Sequence, residues 1–405
     1  MRILFTFAGG TGHFLPLVPV ARAAERAGHT IAFAGQDGMV ATVEKEGFTA
    51  FAAGGATLLT ATERQPLVAV DPEREARAIR ATFAGRVARE RADAIVALGR
   101  EWSPNVIVRD EIDFGAAVAA EHLGVPDATV LCIASGSFVP TELVLEPLTA
   151  LREAHGLPPD PHLAMLQRNL VLSPFPPSFR DPAIPSAPDT HPFRAVDPRG
   201  SGAPADVGWL AELPEPLTYL TLGTIFNLES GDLFERVLGG LRELPGSVVV
   251  TVGRDLDPAF LGPQPANVHV HRFIPQSTVL PRCNLMVSHA GSGSVIGALA
   301  HGLPMVLLPI GADQPLTAAR AAALGVARVL DAATATPADV DRAAVAVLAD
   351  PAYRLKAELI RDEIRALPGP ERALALVEQL CRGEAEASPR TGAASSPAPL
   401  NRPRR

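Results

Sequence analysis

A short apolar run, a glycine-rich turn and an apolar-periodic stretch follow one another at the start of the chain. They occupy residues 3–7, 8–13 and 15–24, and Gly28 follows. The run predicts a strand, and the three- and four-residue spacing predicts a helix that stops at the glycine. Residues 30–34 predict a second strand. This strand–helix–strand order predicts a parallel sheet that binds its ligand at the carboxyl ends of the strands.

The same alternation continues through the first half. A long helix is predicted over 74–100, a buried strand over 105–108 that runs into Arg109-Asp110-Glu111, a helix over 114–123 and a strand over 128–133. The chain then becomes proline-rich over 157–216, which is typical of a linker. Residues 169–172 and 193–196 remain candidates for short strands within it.

A second series of strands and helices begins at Leu217. Strands are predicted over 217–222, 247–252, 267–271, 285–288, 304–308 and 327–330, with helices over 231–244, 292–301, 314–324 and 337–349 and a last helix ending at 377–381. The sequence thus predicts two doubly wound domains, 1–200 and 217–383, joined by a linker at 201–216. Residues 384–405 are rich in Ser, Pro, Ala and Arg, and we expect a disordered tail there.

Composition narrows the classes of partner. Lys and Arg total 36 against 44 Asp and Glu, a formal net charge of −8, which argues against a nucleic-acid partner. No apolar run approaches the roughly 20 residues of a membrane span, so we expect no stable membrane insertion. The three cysteines, Cys132, Cys283 and Cys381, lack zinc-type spacing and are odd in number, which favours the reducing cytoplasm. We expect a monomer or a homodimer.

The second half contains four short motifs. They are Phe273-Ile274-Pro275-Gln276, His289-Ala290-Gly291-Ser292-Gly293-Ser294, Gly302-Leu303-Pro304 and Gly311-Ala312-Asp313-Gln314-Pro315. The second motif is a small-residue turn before a helix, where backbone N–H groups can bind a phosphate. Taken alone, such a turn is equally compatible with an ordinary strand–helix connection.

Together the four motifs resemble the donor-binding signature of family 1 glycosyltransferases, and in particular bacterial enzymes that glycosylate natural products. The resemblance covers residues 1–382 and includes Gly10-Thr11-Gly12-His13 and Gly223-Thr224. It implies the GT-B fold, in which two Rossmann-like domains of doubly wound parallel sheet face each other across a cleft. The amino-terminal domain would bind the acceptor, a small-molecule aglycone, and the second domain the nucleotide sugar.

The resemblance also implies roles for individual residues. Phe273 would stack on the nucleotide base, the backbone of Ile274 would bond to its edge, and Gln276 would lie beside the nucleoside. Asp313 and Gln314 would bind hydroxyls of the donor sugar. The diphosphate would be held by a larger set, Thr224, His289, Gly291, Ser292, Gly293 and Ser294. Thr11 would also belong to the donor site.

One position departs from the pattern of UDP-sugar enzymes in this family. They usually carry a Glu that binds the ribose hydroxyls, and the matching position here is Gly297. A missing carboxylate fits a dTDP-sugar, whose deoxyribose has no 2′-hydroxyl. Gly297 is equally compatible with close helix–strand packing, and a UDP-sugar donor remains an alternative.

His13 is the candidate general base, because a histidine can accept the proton of an acceptor hydroxyl near neutral pH. The family has its general base at this residue, and Asp110 matches the position of the carboxylate that orients it. Glu111 and Asp113 compete with Asp110, since a shift of one position in the alignment would exchange them. The implied reaction is a direct displacement with inversion at the anomeric carbon.

We expect no cofactor beyond the nucleotide sugar and no metal. An Asp-Leu-Asp sequence at 255–257 resembles the metal-binding motif of other glycosyltransferase folds, but here it precedes Pro258 in a loop.

Two other classes of function stay open. A dinucleotide-dependent oxidoreductase needs G-x-G-x-x-G and an acidic residue near the end of the second strand. Here Leu15 stands in place of the third glycine, and Asp37 is the nearest acidic residue. A non-catalytic nucleotide-sugar-binding or helper protein of the same fold is the other alternative, although His13, Asp110, Asp313 and Gln314 are all present.

The acceptor substrate is the part of the implied reaction that the sequence defines least. Residues 54–74 and 135–151 are the stretches that would shape its pocket, and both are rich in apolar side chains. They suit a hydrophobic aglycone such as a polyketide. They are equally compatible with segments that only cover the core.

Overall fold

The computed structural model describes residues 1–55, 63–136, 139–184, 186–187, 189–195, 208–223 and 227–383. Within them the strands form two sheets, of seven and six strands, and every strand pairing is parallel. The predicted α/β architecture with two doubly wound parallel sheets is confirmed.

The first sheet has the order β3-β2-β1-β4-β5-β6-β7. Its strands are β1 Arg2–Thr6, β2 Thr30–Gly35, β3 Ala50–Ala52, β4 Val106–Asp110, β5 Asp127–Val130, β6 Leu170–Ser173 and β7 Thr190–Pro192. Its helices are α1 Thr11–Phe14, α2 Val18–Arg26, α3 Val40–Lys45, α4 Pro72–Arg77, α5 Ala88–Trp102, α6 Phe114–Leu123 and α7 Thr141–Ala154.

The second sheet has the order β10-β9-β8-β11-β12-β13. Its strands are β8 Leu217–Thr221, β9 Ser247–Thr251, β10 Val268–His271, β11 Leu285–Ser288, β12 Met305–Leu307 and β13 Ala327–Val329. The helices that follow are α8 Leu233–Leu241, α9 Gln276–Val279, α10 Ser292–Ala300, α11 Gln314–Ala323, α12 Pro337–Ala349, α13 Pro351–Ala366 and α14 Pro370–Arg382.

Both sheets reverse their strand order next to the first strand of the series. In the first sheet β1 lies between β2 and β4, and in the second β8 lies between β9 and β11. The helices that leave such neighbouring strands cover opposite faces of the sheet, so a crevice opens at the carboxyl ends. The molecule therefore has two equivalent crevices, one at β1 and β4 and one at β8 and β11.

The helix α14 follows the second sheet along the chain but packs against the first sheet. The proposed boundary at 383 places it with the second sheet, yet its buried side chains pack in the core of the first sheet beside β1 and β2; they are Ala373, Leu374, Leu376 and Val377. Two polar contacts fix the same position. Arg26 bonds Glu371 and His29 bonds Glu378, each at 2.8 Å.

Several local predictions were wrong in detail. The helix predicted over 15–24 begins later, as α2 at Val18, since Pro16 lacks the N–H that a helix interior needs, and the predicted loop 8–13 includes most of the short helix α1. The stretch 74–100 includes a π-helical segment, Ala78–Val87, between α4 and α5. The strand expected at 193–196 lies earlier, at β7. The apolar stretch 135–151 is largely the helix α7, whose Val144 and Leu148 are buried in the core.

The expected tail lies wholly outside the described residues, which end at 383, and of the expected linker only 208–216 is described. In the described part of the chain, no helix combines the length and the apolar character needed to cross a membrane.

Candidate active site

His13 lies in the crevice of the first sheet, on the short helix α1 that follows β1. Its ring packs against the backbone of Gly9, where an added Cβ would come within 2.5 Å of Cδ2. Gly9 also has a φ of +134°, which side chains rarely tolerate. About a quarter of the His13 side chain, 23%, is exposed to the cleft. Glycine at position 9 therefore sets where the imidazole lies.

Asp110 ends β4, the neighbouring strand, and its carboxylate faces the imidazole. The distance from His13 Nδ1 to Asp110 Oδ2 is 3.4 Å. The carboxylate is fully buried and accepts hydrogen bonds from the peptide N–H groups of Ala8, Ile112 and Asp113, at 2.8, 2.6 and 2.9 Å. These donors fix the carboxylate and stabilise its charge.

The two competing carboxylates are engaged elsewhere. Asp113 is buried and forms a two-oxygen ion pair with Arg91, at 2.8 and 2.6 Å. Glu111 accepts hydrogen bonds from the peptide N–H groups of Cys132 and Ile133, at 2.6 and 2.7 Å. Burial raises the pKa of Glu111 to about 6 in spite of these bonds. Of the three candidates, Asp110 is the one in contact with His13.

The surroundings of His13 favour its protonated form. Burial lowers the pKa of His13, but the negative charge of Asp110, its contact with the ring and the charges of Asp313 and Glu111 outweigh burial, so the pKa is raised above its ordinary value. The influence of Asp313 brings in the second domain, because this residue precedes α11.

Sequence reasoning missed one member of this crevice. Cys132 lies just beyond β5, and its Sγ is 3.5 Å from His13 Nδ1. One ligand atom each from His13, Asp110 and Cys132 lies within 4.8 Å of the others, a spacing able to hold a metal ion. Cys132 is 119 positions from His13 along the chain, so spacing alone carries no signal for this contact.

His289 lies in the equivalent crevice of the second sheet, directly after β11. Its ring is enclosed by Gly223 and Gly291, where an added Cβ would lie 2.6 Å from Nε2 in each case. The ring is only 8% exposed, and its Nδ1 has no hydrogen-bond partner in the described part of the chain. Burial lowers the pKa of His289 to about 4, so the ring is neutral near pH 7.

The amino terminus of α10 adjoins this histidine. Gly291 precedes the helix, and Gly293 is exposed in its first turn, where an added Cβ would touch no described atom within 4 Å. Ser294 accepts a hydrogen bond from the side chain of Gln276 at 3.0 Å. The terminus therefore presents peptide N–H groups with little side-chain bulk.

Ser292 joins the two halves of the molecule. Its hydroxyl donates to Asp313 Oδ2 at 2.7 Å and accepts from the peptide N–H of Ala134 at 3.0 Å. Ala134 belongs to the same segment after β5 that carries Cys132. Burial raises the pKa of Asp313, against the hydrogen bond from Ser292 and the charge of His13.

The other residues predicted to bind the donor differ in how far they are exposed. Phe273 is 43% exposed, and the Arg254 guanidinium lies 4.2 Å from the centre of its ring. The Ile274 side chain is in the core, so only the backbone of Ile274 can reach a ligand. Gln314 is buried, and its Oε1 accepts from the N–H groups of Ile310 and Gly311 at 2.8 and 3.3 Å.

Thr11, Thr224 and the Asp-Leu-Asp sequence complete the list of predicted residues. Thr11 begins α1, two residues before His13. Thr224 lies outside the described residues. In the Asp-Leu-Asp sequence, Leu256 is buried and Asp257 caps the short helix that follows by accepting from the N–H of Ala259 at 3.0 Å.

Comparison with known protein families gives a match for the second half of the chain. Residues 235–380 match the model of the erythromycin biosynthesis protein CIII-like C-terminal domain. Over nearly the whole chain, the protein is 29% identical to 4′-demethylrebeccamycin synthase of Lentzea aerocolonigenes, covering 94% of this chain and 99% of that one. It is 28% identical to tylactone mycaminosyltransferase of Streptomyces fradiae, covering 94% and 92%.

Solved structures share the whole fold. The spinosyn forosaminyltransferase SpnP superposes with a TM-score of 0.74 at 27% identity, over 94% of this chain and 99% of that one. The glycosyltransferase VinC in complex with dTDP gives 0.75 at 24%, over 95% and 100%. The spinosyn rhamnosyltransferase SpnG with thymidine diphosphate gives 0.78 at 23%, over 93% and 100%. The match to these structures confirms the architecture expected from the sequence.

Proposed function

We propose that the chain, a homologue of natural-product glycosyltransferases with the GT-B fold and an erythromycin biosynthesis protein CIII-like C-terminal domain, is an inverting enzyme with His13 as its general base. Its donor is a dTDP-linked sugar, and its acceptor is a hydroxyl of a hydrophobic secondary-metabolite aglycone.

The observation that carries the proposal is the meeting of the two crevices. His13 and Asp110 are 3.4 Å apart in the first domain, and Ala134 of that domain bonds Ser292 of the second at 3.0 Å. The Ser292 hydroxyl in turn bonds Asp313. A base held by a carboxylate thus lies close to the strand and helix ends where the family signature expects the donor sugar.

In the proposed reaction, Nδ1 of His13 carries a proton and faces Asp110, which leaves Nε2 as the acceptor of a proton. The acceptor hydroxyl gives its proton to Nε2 as its oxygen forms a bond to the anomeric carbon, and the bond from that carbon to the diphosphate oxygen breaks. Asp110 stabilises the imidazolium that forms. The raised pKa of His13 supports this role.

The leaving diphosphate would be held without a metal by peptide N–H groups at the start of α10 and by the neutral ring of His289. Asp313 would accept hydrogen bonds from hydroxyl groups of the sugar. The carbonyl oxygen of Gln314 is engaged by the backbone, so its contribution to the sugar would come from the amide nitrogen, which can only donate. Thr11, Thr224, Gly291, Gly293, Ser292 and Ser294 complete the proposed donor site.

Two observations support a dTDP donor. Gly297 is buried, and an added Cβ would meet Leu280 and the Gln276 side chain at 3.4 and 3.5 Å, so no carboxylate reaches the ribose from this position. VinC and SpnG, whose fold the chain shares, bind dTDP. Phe273 is exposed enough to stack on a base, with Arg254 on one face of its ring.

The acceptor proposal rests mainly on the relatives, whose names refer to rebeccamycin and tylactone products. Within this chain, Val139 and two residues of α7, Leu143 and Leu145, are partly buried. They pack against the same apolar core as Cys132. Such apolar side chains suit a hydrophobic aglycone.

The test combines binding and turnover. We expect dTDP to bind more tightly than UDP in calorimetry and NADPH not to bind. His13→Ala should reduce sugar transfer about 10²–10⁴-fold while dTDP affinity stays unchanged, because the base acts on the acceptor. The exposed His162→Ala is the matched control and should behave as wild type.

Transfer by His13→Ala at the wild-type rate would refute the mechanism. Tight dTDP binding with no transfer to any hydroxyl acceptor would instead support a nucleotide-sugar-binding protein without catalytic activity.

A further inference from the structure

We propose that His13, Asp110 and Cys132 form a binding site for a thiophilic divalent ion of the zinc class, and that an ion bound there stops catalysis. The binding part stands on geometry alone, whereas the inhibition part rests on the proposed function. Neither the expected chemistry of the family signature nor the mechanism above uses Cys132.

The spacing of the ligand atoms suits a tetrahedral ion. His13 Nδ1 lies 3.4 Å from Asp110 Oδ2 and 3.5 Å from Cys132 Sγ, and the three ligand atoms lie within 4.8 Å of one another. Zinc binds nitrogen and oxygen at about 2.0–2.1 Å and sulfur at about 2.3 Å. Tetrahedral angles then separate nitrogen from oxygen by about 3.3 Å and nitrogen from sulfur by about 3.6 Å. The nitrogen–oxygen and nitrogen–sulfur separations in the structure therefore already match those of a tetrahedral zinc site.

The backbone holds each ligand before any ion arrives. Three peptide N–H groups fix the Asp110 carboxylate. The peptide N–H of Cys132 bonds Glu111, which anchors the segment after β5. Gly9 supports the ring of His13. Asp110 Oδ2 accepts one N–H bond, from Ala8, and a carboxylate oxygen has a second lone pair for an ion.

The donor set selects the class of ion. One thiol, one imidazole and one carboxylate oxygen match zinc, cobalt and similar ions, whereas Mg²⁺ and Ca²⁺ require six or more oxygen ligands. Three protein ligands leave a fourth position for water or an added ligand. His13 gives access to this position, since 23% of its side chain is exposed to the cleft.

Binding changes the protonation of both ring nitrogens. The Cys132 thiol releases its proton to solvent as the sulfur–metal bond forms. The imidazole gives its Nδ1 lone pair to the ion, so the single proton of the neutral ring resides on Nε2. A protonated Nε2 cannot accept the proton of an acceptor hydroxyl. The ion therefore blocks the proposed reaction without occupying the position of the sugar.

The binding experiment uses the full-length protein, freed of metal with a chelator and titrated with Co²⁺. We expect one equivalent to bind with a thiolate-to-cobalt charge-transfer band, and Zn²⁺ to displace it. Cys132→Ser should abolish the band, and Asp110→Asn should weaken binding at least tenfold. Cys381→Ser and Cys283→Ser are the matched controls and should retain it.

An intact band in Cys132→Ser, or no band in the wild-type protein, would overturn the site. The Asp110→Asn arm keeps the test decisive if Cys132→Ser fails to fold, because an unchanged affinity in that variant would equally exclude the three-ligand arrangement.

The activity experiment follows turnover at rising Zn²⁺, with each variant compared to its own metal-free rate. We expect inhibition that a chelator reverses, and a half-inhibiting concentration at least tenfold higher in Cys132→Ser than in Cys381→Ser. Equal sensitivity of the two variants would refute inhibition through this site. Cobalt binding in a protein without any transfer activity would leave the site standing and count against the proposed function instead.

Discussion

His13 and His289 lie in the corresponding crevices of two sheets of similar topology, His13 after the first strand β1 and His289 after β11, the counterpart of β4. Their surroundings are opposite. His13 is partly exposed and faces the buried Asp110, which helps to raise its pKa, whereas His289 is buried between glycines and its pKa falls to about 4.

The comparison shows how one topology supports two chemical tasks. The carboxylate at the end of β4 helps to raise the pKa of the first histidine and so favours its protonated form. The corresponding strand β11 ends in Ser288 and supplies no charge, so the second histidine is kept neutral beside the start of a helix. The first crevice suits proton transfer and the second suits an anion. Four experiments would break or sharpen this contrast.

Asp110→Asn should have the largest effect. The amide keeps an oxygen for the N–H groups of Ile112 and Asp113 but removes the charge that faces His13. We expect kcat to fall about 10²–10⁴-fold with unchanged dTDP affinity. Steady-state kinetics and calorimetry measure the two quantities. An equal loss in both would mean that the two crevices are not separate in function.

His289 should make the protein less stable in acid. Its folded pKa of about 4 lies below the ordinary value of 6.5, so between these values the unfolded chain binds a proton that the folded chain excludes. Stability from this group is complete above pH 6.5 and is lost as the pH falls toward 4. The loss at pH 4.5 is about 2–3 kcal/mol.

Urea unfolding of the wild type and of His289→Gln at pH 6.5 and 4.5 measures this loss. We expect a smaller difference between the two pH values in the variant, because glutamine does not titrate. The same difference in both proteins would show that His289 is not neutral when folded.

Gly9→Ala tests the support of the first histidine. The new Cβ would press on Cδ2 of His13 at 2.5 Å and would require a positive φ, so we expect kcat to fall at least about tenfold. Gly12→Ala in the same turn is the control, since a Cβ there meets no described atom within 4 Å. Wild-type kinetics in Gly9→Ala would mean that the position of the ring is not set by this contact.

Gly291→Ala tests the wall of the second crevice and should have the smallest effect. Its φ of −60° accepts alanine, but the Cβ would lie 2.6 Å from His289 Nε2. We expect dTDP to bind roughly three- to tenfold more weakly, with turnover at saturating donor nearly unchanged. Gly239→Ala on α8, with contacts of 3.4 Å or more, should leave binding unaltered.

Local patterns in the sequence predicted most of the elements. The limits of β11 and α12 agree with the prediction residue for residue, since the short apolar run of β11 and the proline at the start of α12 are local signals. The short helix α1 was missed within the predicted loop, and α2 was predicted to begin at 15 although Pro16 and Pro19 favour a later start. β7 was displaced because it is only three residues long and ends in a proline.

The site was harder to predict, since it depends on which side chains meet across strands. Three carboxylates occur between 110 and 113, and only the fold separates them: one faces His13, one pairs with Arg91 and one bonds the segment after β5. Cys132 was missed for the same reason. Its neighbours in space lie just after β1 and at the end of β4, and no spacing along the chain connects them to it.

The return of α14 to the first sheet governs the order in which this protein is completed. The helix covers α2 and the core of the first sheet, yet it follows every strand of the second sheet along the chain. Until residues 370–382 emerge, that side of the first domain lacks the apolar cover supplied by Leu374, Leu376 and Val377. The first domain is therefore finished only after the second has been synthesised. Shortening the chain before Pro370 would damage the half of the molecule that begins it.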